Sequence, residues 1–227
     1  VGILIVQTEF AFLFKHLLLS EPGVSRLTVL RRSTSLFAQG DRADAVYFVE
    51  EGLIKLTRTD SAGSRMILSL YGPNDLLGEE SLYGGDGFYH GKAEALGPST
   101  VYKVPWRAIS RVMCFHPELN AAFVRHLLDT KESFAHKVEL LCLQDVETRI
   151  LYYLEHLAKL VKPGEENAGH SLPITQLELA DLVGATRETT STTLNQLEKR
   201  GLVKLSRRLL TVFPQHSWAA AATGGRG

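Results

Sequence analysis

Residues 174–203 read ITQLELADLVGATRETTSTTLNQLEKRGLV, and the order of residue types in this stretch decides the fold. Thr175 followed three residues later by Glu178 is a capping box, so a helix opens there. Gly184 ends that helix in a tight turn, Thr186 caps a second helix, and Gly201 terminates it. Leu177, Ala180, Leu182, Val183, Leu194 and Leu197 are expected to form the core that the two helices share. A turn this short fixes the pair at a steep angle, as in a helix-turn-helix. LVKLSRRLLTVFP, residues 202–214, follows as a small hairpin or wing with arginines at its bend.

The second of these helices carries a face suited to the major groove of DNA. Arg187, Glu188, Thr190, Ser191 and Asn195 are read as pointing away from the leucine side, and nearly all are short or polar. Arg187, Glu188, Ser191 and Thr192 are the expected base readers, because arginine pairs with guanine O6/N7 and glutamate accepts from cytosine N4. Thr175, Thr186, Thr189, Thr190, Asn195, Lys199 and Arg207 are expected on phosphates, helped by the dipoles of the helix N-termini. Local charge agrees: residues 185–213 hold Arg187, Lys199, Arg200, Lys204, Arg207 and Arg208 against Glu188 and Glu198. Over all 227 residues, 25 Lys and Arg balance 25 Asp and Glu, so any polyanion footprint has to be local.

Upstream, the period of the apolar residues changes twice. Leu119, Phe123, Leu127, Thr130, Phe134, Val138 and Leu141 fall three or four apart, which places a stripe on a helix starting near Pro117. A helix from there to Leu141 is about 37 Å long, more than one domain face needs. The stripe is therefore expected at the seam of a homodimer, with Phe123, Leu127, Thr130, Phe134, Val138 and Leu141 in the interface. DVETRILYYLEHLAKLV (145–161) forms a further helix, and KPGEENAGHSLP (162–173) reads as a loop. Between Leu27 and Val104 the pattern is short strands cut by turns, as in AVYFVEEGLIKLTRT (45–59), RMILSLYG (65–72) and TVYKVPW (100–106). Such spacing predicts a jelly roll or small barrel.

The first twenty residues, VGILIVQTEFAFLFKHLLLS, are apolar but lack a basic start and carry Glu9, Lys15 and His16. No run in them is long enough to span a bilayer, so a docked segment is expected and no membrane partner. Two cysteines, Cys114 and Cys142, are too few for a disulfide framework or a four-cysteine cluster, which suits a reducing, cytoplasmic setting. The plan is thus α+β: an N-terminal segment (1–26), a β-module (27–107), a long helix (108–143), a winged helix-turn-helix (144–216) and a tail (217–227).

Three stretches in order carry a resemblance to a known family. They are FAQGDRADAVYFVEEGLIKL (37–56) with GPNDLLGEESL (72–82), then LLCLQDVETRI (140–150), then ATRETTSTTLNQLEKRGLV (185–203). Over residues 27–213 the chain resembles the cyclic-AMP receptor protein and fumarate–nitrate regulator (CRP/FNR) family of bacterial transcription factors. The resemblance implies a double-stranded β-helix sensor, a homodimer helix, and a winged module that reads a palindromic promoter and contacts RNA polymerase. Lys162–Ser171 lies where the family places its main polymerase contact, which favours an activator. Members reading TGTGA half-sites carry Arg and Glu at the start of the recognition helix and a second Arg one turn on. Arg187 and Glu188 match the first two, and Thr192 stands at the third, which weakens one outer guanine contact.

The family also poses the question of an effector. Its cyclic-nucleotide members use a Gly-Glu pair followed about ten residues later by Arg-Ser. Gly78–Glu79 matches the first pair, but Tyr89–His90 stands at the second, and no arginine occurs between Arg65 and Arg107. A bound phosphate wants a fork of donors and a compensating charge, which Lys92 and His90 supply poorly. Phe134–Ala135 replaces the family's hydroxyl pair on the dimer helix. Gly78, Glu79, Tyr89, His90 and Phe134 therefore make a degenerate effector pocket, and no cofactor is expected. FYH (88–90) is similar to the cyanobacterial nitrogen regulator branch, which senses 2-oxoglutarate, but Gly87 stands where that branch has an arginine. EESLYG (79–84) is similar to the stress regulators of the Deinococcus–Thermus group, which implies the effector-independent type. An effector-gated regulator binding an unidentified 2-oxoglutarate-like or nucleotide molecule is the alternative. A cupin-type metalloenzyme needs two closely spaced histidines, a carboxylate and a third histidine. His90 stands alone in the β-module, so neither a metal nor catalysis is expected.

Overall fold

The computed structural model describes residues 3–19, 21–29, 31–83, 87–161, 169–206 and 209–213. A helix α1 (Ile3–Leu18) precedes eight strands: β1 (Ser25–Val29), β2 (Ser35–Phe37), β3 (Ala45–Glu51), β4 (Ile54–Thr59), β5 (Arg65–Tyr71), β6 (Leu76–Leu77), β7 (Lys92–Ala95) and β8 (Ser99–Pro105). A 3-10 turn, Glu79–Tyr83, sits between β6 and β7. Then come α2 (Trp106–Phe115), α3 (Pro117–Leu143), α4 (Val146–Leu160), β9 (His170–Leu172), α5 (Gln176–Val183), α6 (Arg187–Lys199), β10 (Val203–Leu205) and β11 (Leu210–Val212).

The eight strands form two antiparallel four-stranded sheets, ordered β1-β8-β3-β6 and β2-β7-β4-β5, as the short alternating runs predicted. Strand β3 shows why they stack. Its side chains alternate between faces, and both faces are buried. Ala45, Tyr47 and Val49 join Phe37, Ile54, Tyr71, Leu77, Tyr89 and Val101 between the sheets. Val46 and Phe48 point the other way, into a helical layer with Leu76, Val104, Ala108, Ile109 and Val112.

Helix α1 belongs to that layer. Phe10, Ala11, Phe14 and Leu18 are buried there, and the Phe14 ring stacks on Phe48 at 5.0 Å. The apolar N-terminal segment is thus docked on the β-module, with β1 starting at Ser25. Among the described residues no helix is long and apolar enough to cross a membrane.

The span 108–143 holds two helices, and the long one starts at Pro117, as the spacing predicted. The chain breaks at His116, because the residue before a proline is pushed out of the helical region, and Pro117 starts α3. Along α3 the apolar stripe divides by partner. Leu119, Ala122 and Phe123 are buried in the chain's own helical layer, with the Phe123 ring 5.9 Å from Phe10. Phe123, expected in the dimer interface, is therefore a residue of the internal core. Leu127, Phe134 and Val138 are exposed, together with Val124 and Leu128, while Thr130 and Leu141 are partly exposed.

The chain divides into two compact units, with the boundary between His136 and Lys137 inside α3. In the second unit the expected loop 162–173 contains a strand: β9 pairs antiparallel with β11, which pairs with β10, so the wing is three-stranded. Residues 162–168, most of the loop expected to meet RNA polymerase, lie outside the described residues, as does the tail 217–227.

If α1 is an integral part of the first unit, Phe14→Ala removes a buried ring from a closed layer. The expected loss is about 3–5 kcal/mol of unfolding free energy, read from a urea titration followed by circular dichroism.

Candidate nucleic-acid interface

The second unit is built on local capping. Asp145 opens α4 by accepting from the Thr148 amide at 2.8 Å, and Ile150, Leu151, Leu154 and Leu157 form its buried side. Thr175 opens α5 with both halves of the capping box: Glu178 N donates to Thr175 Oγ1 at 3.2 Å, and Thr175 N donates to Glu178 Oε2 at 2.9 Å. The Thr175 hydroxyl also donates to Glu178 Oε2 at 2.8 Å, so its proton is held within the cap. What this end of the helix offers a phosphate is its free backbone amides.

Gly184 closes α5 at φ +64°, a conformation glycine adopts without strain. Thr186 then caps α6 by accepting from the Thr189 amide at 3.1 Å, and the two threonine hydroxyls lie 2.9 Å apart. Leu179, Ala180, Leu182 and Val183 of α5 are buried, as are Leu194 and Leu197 of α6. Leu177, expected in this core, is 43% exposed, and Leu179 occupies the inward position instead.

The outward face of α6 presents Glu188, Thr192, Asn195 and Lys199, spaced four, three and four apart, with Arg187 and Thr189 exposed at its first turn and Ser191 partly exposed. These are the expected base-reading residues together with Thr189, Asn195 and Lys199 of the seven expected phosphate contacts. Thr190 is the exception. It is fully buried, sharing the inner face with Thr193, Leu194 and Leu197, so the helix turns it away from the groove. Arg207 lies outside the described residues. Of the local cations, Arg200 is paired with Glu147, so its charge is locally balanced.

In the first unit the residues of the degenerate effector pocket take separate places. Gly78 has φ +86°, and a Cβ there would stand 3.1 Å from the Tyr89 ring. Tyr89 enters the interior between the sheets, stacks on Phe37 at 3.8 Å, and donates from its hydroxyl to the Ala45 carbonyl at 2.6 Å. Burial pushes this phenol well above its usual range, with neighbouring Tyr47 adding to the effect. His90 points to solvent, and its backbone amide donates to Glu80. Lys92 pairs with Glu94 at 2.8 Å on the strand. Beside them an open cleft of about 370 Å³ is lined by Glu79, Glu80, Leu82, Tyr83, His90, Phe123 and Leu127. Phe134 is not among its walls; α3 supplies Phe123 and Leu127, two to three turns earlier.

Sequence reading missed an ionisable group next to this cleft. His126 of α3 stacks on Phe10 at 4.7 Å, with Nε2 3.6 Å from Glu79 Oε1. Asp75 lies near both; its carboxyl is crowded by protein, and desolvation raises it to about 6, opposed by the Gly72 amide and by His126. A histidine next to an otherwise apolar stripe is the signal that could have found the group.

Two family models match the chain in the order of its two units: a cyclic nucleotide-binding domain over residues 27–114 and a Crp-like helix-turn-helix domain over residues 148–213. The chain belongs to the CRP/FNR family. Similar members include the global nitrogen regulator of Synechocystis sp., 27% identical over 185 residues, covering 80% of this chain and 81% of that protein. The cAMP-activated global transcriptional regulator CRP of Escherichia coli O157:H7 is 27% identical over 184 residues, covering 79% and 86%. Among solved structures, a CRP/FNR-family transcriptional regulator of Thermus thermophilus shares the fold with a TM-score of 0.72 at 24% identity, covering 87% and 98%. This member of the family is a DNA-binding transcription regulator.

Two substitutions check these placements. Thr190 Oγ1 has no hydrogen-bond partner among the described residues, so Thr190→Val removes an unsatisfied buried hydroxyl. The expected result is a melting temperature equal to or above wild type and unchanged DNA affinity. For Asp75, a carboxyl raised from 3.8 to about 6 costs stability as pH rises through that window, because the native state holds the proton more tightly. Asp75→Asn should therefore stabilise the protein at pH 7.5, by as much as ~3 kcal/mol, and the gain should vanish near pH 3.5. Urea titrations at the two pH values measure it.

Proposed function

We propose that this regulator acts in the cytoplasm as a homodimer, binding a palindromic promoter site without an effector and activating transcription through contact with RNA polymerase. The observation that carries the DNA reading is the sorting of α6: Thr190, Thr193, Leu194 and Leu197 face the core, while Arg187, Glu188, Thr192, Asn195 and Lys199 face solvent. In this reading Arg187 and Glu188 read bases with Ser191 and Thr192, and Thr186, Thr189, Asn195, Lys199 and Arg207 position the helix on phosphates. The exposed stretch of α3 from Val124 to Val138 supplies the apolar seam for the second copy.

Independence from an effector is supported by the interior of the β-module. Where cyclic-nucleotide members are expected to place an arginine for phosphate, Tyr89 packs on Phe37 and bonds to the backbone of β3. Among the described residues no cation replaces it there, since Lys92 is held by Glu94 and His90 faces solvent. A second reading, gating by a small molecule, draws on the cleft beside Glu79, whose size suits a small ligand.

Fluorescence anisotropy of a palindromic duplex with TGTGA-like half-sites tests the proposal. The protein is titrated alone, then with cyclic AMP, then with 2-oxoglutarate, at one salt concentration. Tight binding by the protein alone, unchanged by either compound, is the expected result, whereas binding that requires one of them favours gating. Arg187→Ala should lose about 1–3 kcal/mol of discrimination between this duplex and a scrambled one, and keep a salt-sensitive background.

A further inference from the structure

The last carbonyls of α5 are bound by two cations that the helix-turn-helix sequence itself does not contain. Lys137 Nζ of α3 donates to the Leu182 carbonyl at 3.2 Å, and Arg149 Nη1 of α4 donates to the Val183 carbonyl at 2.7 Å. Final-turn carbonyls have no partner within their helix and carry its negative dipole end, so a buried ammonium there is both a donor and a matching charge. Only Gly184 and Ala185 separate these carbonyls from Thr186, the cap of α6. Whatever holds Leu182 and Val183 thus fixes where α6 begins.

Stability alone does not account for the lysine. Lys137 is 8% exposed, and its ammonium lies 5.3 Å from the centre of the Tyr153 ring. Desolvation lowers it to about 8, so keeping it charged at neutral pH costs the fold energy that an apolar side chain would not. Methionine has nearly the same length and fills the same space.

We propose that Lys137 is a positioning residue for DNA recognition: its bond to the Leu182 carbonyl holds the α5–α6 turn, and with it the recognition helix, at the angle that the groove requires. Lys137 is also where α3 enters the second unit, so the helix assigned to the dimer seam contributes directly to the placement of α6. The inference rests on the DNA-binding reading above.

The test uses the full chain with Lys137→Met, Lys137→Arg and wild type. Each is melted by circular dichroism and titrated against the palindromic and the scrambled duplex. We expect Lys137→Met to melt at or above the wild-type temperature and to bind the palindrome about tenfold more weakly, with unchanged affinity for the scrambled duplex. Lys137→Arg, which keeps the charge and the donor, should recover most of that loss. A Lys137→Met protein that still prefers the palindrome as wild type does would overturn the proposal. So would a lower melting temperature with both affinities falling together, which makes the lysine a structural residue only. Lys137→Leu, which likewise removes both the donor and the charge, gives the same comparison should the methionine variant not fold. Failure of wild type itself to prefer the palindrome would instead sink the DNA-binding reading, and the inference with it.

Discussion

Everything in the first unit depends on β3 being covered on both sides. A strand with one wet face would need only the opposing sheet. Here Val46 and Phe48 leave the sandwich and require a second layer, which α1, α2 and the first turns of α3 provide. The requirement accounts for Phe10, Ala11, Phe14 and Leu18 of α1, which fill that layer. It also explains why α3 begins by packing on its own chain, with Phe123 set against Phe10 in the helical layer.

Tyr89 decides how the interior of the β-module is filled. An arginine in a sandwich interior creates a demand for an anion, since an unpaired buried cation is costly. A tyrosine answers its own demand, with one face on Phe37 and its hydroxyl on the β3 backbone. The space between the sheets is then a packed core, and the open cleft lies beside it against α3.

Local features were legible in the sequence to the extent that their cause is local. The Thr175–Glu178 box, the Thr186 cap and the Gly184 turn are set within a few residues, and each is where its residue types placed it. Features decided by distant partners were not. Strand β9 is three residues of an otherwise polar loop, and it is a strand only because β11, some forty residues later, lies beside it. Thr190 looked like its polar neighbours, but the period set by Leu194 and Leu197 puts it on the inner face. Leu177 and Leu179 are both plausible core leucines until the partner helix chooses one. The α3 stripe was visible from spacing, whereas what covers each part of it was not. The clamp by Lys137 and Arg149 had no signature within the helix-turn-helix itself, because its two cations come from the preceding helices.

The early loss of Phe123 to α1 shortens the surface left for pairing. From Val124 to Leu141 the seam spans about 26 Å, less than the full length of α3. For a pair that dissociates, the amount of active protein is a matter of mass action. While monomers predominate, dimer rises with the square of total concentration, so doubling the protein gives about four times as much operator-competent species. In the effector-independent reading proposed above, such a pair would respond sharply to its own synthesis and turnover.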